Sequence, residues 1–206
     1  MVLKSSQLAI NFIVDEEVSG EAAYTQLYQH PTWPGGASGV TIGIGYDCGY
    51  SSAETIADDW GPLLSPAMVK CLQDVAGVTG SPASSYAHEL MGAVIVPYSA
   101  AMAVFMNRDM PKWEGIVAHA LPNTDKLSGD SFGMLNSLSY NRGASFSNVG
   151  SRFTEMRNIH AWMTSEQFDR IPNEFRSMKR LWPNVRGLRD RRDQEADIFQ
   201  KGLVSA

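Results

Sequence analysis

A predominantly helical α+β domain, with a small β lobe at about residues 20–50, is the fold class this sequence predicts. Two observations carry it. Between His30 and Gly49 the chain runs through "HPTWPGG" and "SGVTIGIGYDCG", stretches too rich in proline and glycine for a helix. From Ser51 onward, apolar segments at helical spacing recur between Ser-Pro openings and closing glycines. The 206 residues, 44% hydrophobic and 19% charged, suffice to bury one core, so a single domain over 1–206 is expected.

The first element, "SSQLAINFIVDEE", opens at Ser5 or Ser6 and shows an apolar face of Leu8, Ala9, Phe12 and Ile13, flanked by Ile10 and Val14. Read as a strand, residues 38–49 send Val40, Ile42, Ile44 and Tyr46 to one side and Thr41, Gly43, Gly45 and Asp47 to the other. The second face is then a low floor between a hydroxyl and a carboxylate, and strand glycines often mark the close approach of a ligand. Ser51 with Glu54 three residues on has the pattern of a capping box. Ser65-Pro66 and Ser81-Pro82 open two more helices, closed by Gly77 and Gly92. "YSAAMAVFMNRDM" follows with Pro111 near its end, then "DSFGMLNSLSYNRG" up to Gly143, then helical patterns over about 150–163, 165–180 and 187–201.

Charge narrows the function classes. The net charge of −5 is uneven: residues 1–97 hold two basic side chains against ten acidic, and the remainder fifteen against twelve. Seven of those basic residues fall in "RSMKRLWPNVRGLRDRR" at 176–192, either an anion-facing patch or a helix surface neutralised by its own ion pairs. A weak overall balance and no groove-entering motif argue against nucleic acid. No apolar run is long enough to span a bilayer, and the N-terminus lacks the pattern of an export signal, so synthesis in the cytoplasm without a signal peptide is expected. Cys48 and Cys71 fit neither a disulfide framework nor a metal site, and the four histidines show no ligand spacing. No metal or organic cofactor is expected. "GIGYDCG" misses the dinucleotide fingerprint, "HELMG" lacks the second histidine of a zinc-protease helix, and "NTDKLSGD" has Leu127 where a calcium loop wants an oxygen ligand and Ser128 where it wants glycine.

The chemistry converges on two acids. Ile10, Ile13, Val14 and Glu17 stand at i, i+3, i+4 and i+7, so Glu17 continues the buried stripe and ends the helix before Gly20. Burial and the negative end of the helix dipole both disfavour its charged form, the condition of a general acid. Asp47, at the open end of the glycine floor, should stay ionised. Two carboxyl groups in unlike settings beside a cleared groove suit glycoside hydrolysis, with the Thr41 hydroxyl to orient water or a sugar oxygen. Trp33 and Tyr46, near the floor, have rings able to stack on sugars. On residue pattern alone Asp15, Glu16 and Glu21 compete with Glu17, and such acids commonly only face solvent.

"VDEEVSGEAAYTQLY … GVTIGIGYD" resembles the catalytic opening of phage-type lysozymes and pesticin-like muramidases. Glu17 and Tyr24 keep the family's seven-residue spacing, Thr41 begins the "TIGIG" strand, and the aspartate six residues on falls at Asp47. "SLSYNRG" is similar to a helix end backing the substrate cleft, which implicates Asn141, and "GLRDRRDQEADIF" to the closing helix. The resemblance covers about residues 8–50 and 132–199; the stretch 51–131 matches nothing specific. It implies a lysozyme-like fold with a cleft between a β lobe and a helical lobe. Glu17, Asp47 and Thr41 would be catalytic there; Tyr46, Asn141, Gly43, Gly45 and Trp33 would bind substrate.

The activity implied is muramidase cleavage of the β-1,4 bond between N-acetylmuramic acid and N-acetylglucosamine, with inversion. A monomer acting on peptidoglycan is expected, as a phage endolysin or an antibacterial toxin or effector domain. It would reach the wall by holin release or a secretion machine, with an immunity or inhibitor protein as a further partner. A lytic transglycosylase and a non-catalytic glycan-binding domain are the alternatives.

Overall fold

Ser6, not Ser5, starts the first helix. Its Oγ accepts from the Ala9 N–H at 3.1 Å and its carbonyl from Ile10 N–H at 3.0 Å, opening α1 over Gln7–Val18. The computed structural model describes residues 3–204, whose regular structure is helical apart from one two-stranded antiparallel sheet. This is the predominantly helical α+β class that the sequence predicts. The chain divides into two compact units, one from the described residues of Met1–Ile13 and Pro111–Ala206, the other from Val14–Met110.

The first unit is built around α8 (Gly129–Arg142), whose residues 131–139 are all buried. A helix buried on every side is a core helix. Ser128 caps it, accepting from Ser131 N–H at 3.1 Å, and Gly143, at φ 81, ends it as expected. Gly133 is essential to the packing, because an added Cβ would overlap Ala9 of α1. Around α8 lie α7 (Met110–Ala120), α9 (Thr154–Thr164), α10 (Ile171–Ser177) and α11 (Arg186–Val204). Val117, Phe132, Leu135, Ile159, Phe175 and Phe199 belong to the apolar core they share. Pro111 does not end a helix. A single π turn at Phe105–Asp109 precedes it within one unbroken helical run from Tyr98 to Ala120, and that local shift of hydrogen-bond register accommodates the proline.

The second unit holds α2 (Gly20–Leu27), α3 (Ala53–Trp60), α4 (Pro66–Asp74), α5 (Ser81–Leu90), α6 (Tyr98–Val104) and the sheet. The expected β lobe over about 20–50 is smaller than its range, because 20–27 is helix α2. What remains is β1 (Thr41–Ile42) and β2 (Tyr46–Asp47), with bridges Thr32↔Thr41 and Gly39↔Thr79. The capping box proposed at Ser51 shifts by one: Ser52 Oγ accepts from Thr55 N–H at 3.0 Å. Ser65 caps α4 as its sequence suggests, whereas Ser81 is the first residue of α5, behind Gly80 at φ 73. No described helix is long and apolar enough to cross a membrane.

Candidate active site

A short hairpin, rather than one long strand, carries two of the three residues assigned to chemistry. "TIGIGYD" folds as Thr41-Ile42, a three-residue connection and Tyr46-Asp47, with Thr41 opposite Asp47 and Ile42 opposite Tyr46. Gly43 at φ 60 and Gly45 at φ 78 take left-handed conformations that only glycine adopts without strain. The glycines therefore make the turn and are not the flat floor the alternation implies. Gly43 is buried, and an added Cβ would stand 3.1 Å from the Trp60 indole. Gly45 is exposed at the tip.

Thr41 and Asp47 do share a face, through pairing across the hairpin. Thr41 exchanges both backbone bonds with Thr32, at 2.8 and 2.9 Å. Its pairing with Asp47 is thus the narrow, non-hydrogen-bonded kind, which sets facing Cβ atoms about 4.5–5.5 Å apart. Asp47 is held by the backbone. Gly39 N–H lies 3.1 and 3.0 Å from its two oxygens, and Gly49 N–H donates to Oδ1 at 2.8 Å. Of about four acceptor positions on a carboxylate, this clasp leaves the outer one on Oδ2. The Thr41 hydroxyl donates to Gly39 O at 3.3 Å.

Glu17 lies in the last turn of α1, half-buried, beside the buried Val18. Ser19 at φ 56 and Gly20 at φ 84 then end the helix in left-handed conformations. Tyr24, seven residues on, is fully buried in α2 and donates to Val96 O at 3.0 Å; burial pushes its phenol well above the usual range.

Several expected binding residues have other work. Tyr46 is not a stacking surface: it is 2% exposed, packs edge-on against Trp60 and donates to Asp59 Oδ2 at 2.8 Å. The Arg108 guanidinium lies 4.3 Å from its ring centroid. Burial, joined by Asp59, pushes the Tyr46 phenol above its ordinary range. Trp33 is half-buried and closes its loop by donating to Ser38 O at 3.0 Å. Asn141, in the last turn of α8, accepts from Arg192 at 3.5 Å in the first unit.

Arg108 and Asp59 carry no signal in the sequence, standing 49 positions apart. Arg108 bonds Asp59 at 2.6 Å and reaches Ser51 Oγ at 3.4 Å, and Ser51 Oγ donates to the Asp47 carbonyl at 3.3 Å. The cation thus braces the hairpin from its buried side. Cys48 and Cys71 are separate thiols, and burial pushes Cys48 up to about 12. Under native conditions a maleimide should label Cys71 alone, as peptide mass spectrometry would read, because the thiolate is the nucleophile.

No protein-family model matches the chain, and no curated protein matches it.

Proposed function

We propose that the chain is a lysozyme-like peptidoglycan hydrolase that cleaves the β-1,4 bond between N-acetylmuramic acid and N-acetylglucosamine. The observation that carries this reading is the Thr41–Asp47 pair, a hydroxyl and a backbone-clasped carboxylate facing each other across a tight hairpin. It joins the Glu17-to-Tyr24 and "TIGIG" spacings that resemble the phage-type and pesticin-like muramidases. Glu17 would protonate the leaving glycosidic oxygen. Asp47 would take a proton from water through its outer Oδ2 position, and Thr41 would hold that water. Fixing the carboxylate beforehand avoids reorganisation as charge develops. Trp33 and Gly45 are the remaining substrate contacts this reading assigns within the second unit. Mass spectrometry of soluble fragments from purified peptidoglycan tests it: reducing-end muropeptides support a muramidase, and intact wall with a folded protein rejects it.

The same clasp favours a second reading, in which Asp47 is purely structural and Glu17 acts alone as in a lytic transglycosylase. Asp47→Asn separates the two. Asparagine keeps the oxygen that accepts from Gly49 but replaces the Oδ2 acceptor of the Gly39 N–H by a donor, so the hairpin should survive at a cost of about 1–3 kcal/mol. For the hydrolase, fragment release should fall by about 10²-fold or more as the base disappears. Anhydro-muropeptides at an undiminished rate would establish the transglycosylase.

A further inference from the structure

The basic stretch at 176–192 is largely neutralised within the fold. Arg176 pairs with Asp197 at 2.6 Å, Lys179 with Asp193 at 2.7 Å, Arg180 with Glu155 at 2.6 Å and Arg186 with Asp190 at 3.3 Å. Arg191 and Arg192 both bond Glu195, at 3.3 and 2.8 Å. The solvated, ion-paired alternative is therefore the one realised there. Uncompensated positive charge gathers instead where the loop after α8 meets the Leu181-Trp182 turn.

Arg142, half-buried at the end of α8, donates to neutral acceptors, the Met178 sulfur at 3.2 Å and the Arg152 carbonyl at 2.8 Å. Burial, then the like charges of Arg192 and Arg152, lower its pKa, with Arg180 adding to the repulsion and Glu155 opposing it. Glu155 is already engaged by both ends of the Arg180 guanidinium, at 2.6 and 2.9 Å. Arg142 and Arg192 both approach the Trp182 ring, 5.6 and 5.8 Å from its centroid. Arg152 is exposed, and its guanidinium has no hydrogen bond or ion pair among the described residues. It borders a pocket of about 260 Å³ with Ser151, Leu181 and Trp182. One wall is thus apolar and backed by cations, and the rim carries a guanidinium able to bind an oxyanion in bidentate fashion.

We infer that the pocket bounded by Ser151, Arg152, Leu181 and Trp182 is an oxyanion subsite. A carboxylate or phosphate bonds Arg152, and the carbons attached to it lie on Leu181 and Trp182. On the wall-hydrolase reading, on which the choice of anion rests, the sources are stem-peptide carboxylates and wall phosphates. The site lies wholly within the first unit and does not depend on Glu17, Thr41 or Asp47.

Calorimetric titration of the full chain and of Arg152→Glu tests the inference with three probes: a soluble disaccharide-tetrapeptide, its carboxyl-amidated form and inorganic phosphate. Arg152 touches no other side chain by hydrogen bond, so the variant should fold, which circular dichroism checks. Binding of the free-acid muropeptide that weakens about tenfold or more on amidation, and likewise in Arg152→Glu, assigns the site to stem carboxylates. Phosphate binding lost in Arg152→Glu assigns it to wall phosphate. In either case affinity should fall as salt rises. No binding by any probe, or equal binding in the variant, overturns the inference. Arg152-dependent binding without release of wall fragments would sink the hydrolase reading and leave this one standing; fragment release without such binding would do the reverse.

Discussion

Glu17→Gln should fold as the parent does and release muropeptides about 10²- to 10⁴-fold more slowly, the range a positioned general acid contributes. Glutamine preserves size and hydrogen-bonding reach but has no proton of suitable acidity for a leaving alkoxide. The position is set by the helix. Ser6 caps α1, and Ile10, Ile13, Val14 and Val18 are buried along it, which fixes the rotation at which residue 17 emerges. Glu16 lies one position round the same helix and gives the contrast: Glu16→Gln should retain near-parental rates. Dye release from labelled wall, with circular dichroism as the folding control, reads both. Equal rates for Glu17→Gln and the parent would remove Glu17 from the mechanism.

Loss of the Glu195 carboxylate should have the largest effect on stability. Arg192 and Glu195 are wholly buried and Arg191 is 2% exposed. Glu195 Oε1 accepts from Ser137 Oγ at 2.6 Å, Arg192 at 2.8 Å and Arg191 at 3.3 Å, tying α11 to α8. Complete burial pushes its carboxyl up, against the pull of Arg192, Arg191 and Ser137. Removing one member of a buried ionic cluster typically costs about 3–5 kcal/mol, because charge is left in a medium that cannot solvate it. For Glu195→Ala the thermal midpoint followed by circular dichroism should drop by about 6–20 °C. The exposed Lys70–Asp74 pair on α4 is the counterexample, where Asp74→Asn should change stability by no more than about 0.5 kcal/mol. A Glu195→Ala midpoint within 2 °C of the parent, roughly what 1 kcal/mol or less would produce, would show that the cluster contributes little net stability.

Local signals in the sequence were read well where the physics is local. The cap at Ser65, the stop at Gly143 and the stripe of Ile10, Ile13 and Val14 on α1 each depend on residues within one or two turns, and each is found, although Leu8 of the same apolar set is exposed. The hairpin shows the limit of that reading. Alternation and turn formation both fit "TIGIGYD", and the deciding fact, that Gly43 backs onto Trp60, is a contact 17 positions away. The same long range hid Tyr46 in the core, bonded to Asp59 and capped by Arg108. Pro111 misled for a different reason: proline disfavours a helix interior, but the π turn before it shifts the hydrogen-bond register and the helix runs on through residue 111. The ion pairs of 176–192 needed partners on other elements, such as Glu155 on α9, so spacing within the stretch carried no record of them.

The clasp on Asp47 closes on two glycines that have no room to become anything else. A Cβ on Gly39 would overlap the Asp47 carboxylate, and one on Gly49 would come within 2.6 Å of the Val78 carbonyl and 2.8 Å of Gly39 Cα. A designer shortening or recombining this hairpin must therefore carry three positions as one unit, Gly39, Asp47 and Gly49, though only one has a side chain that can take a proton. Invariance at the two glycines in any set of working variants would record steric exclusion, and it would look the same as selection for chemistry.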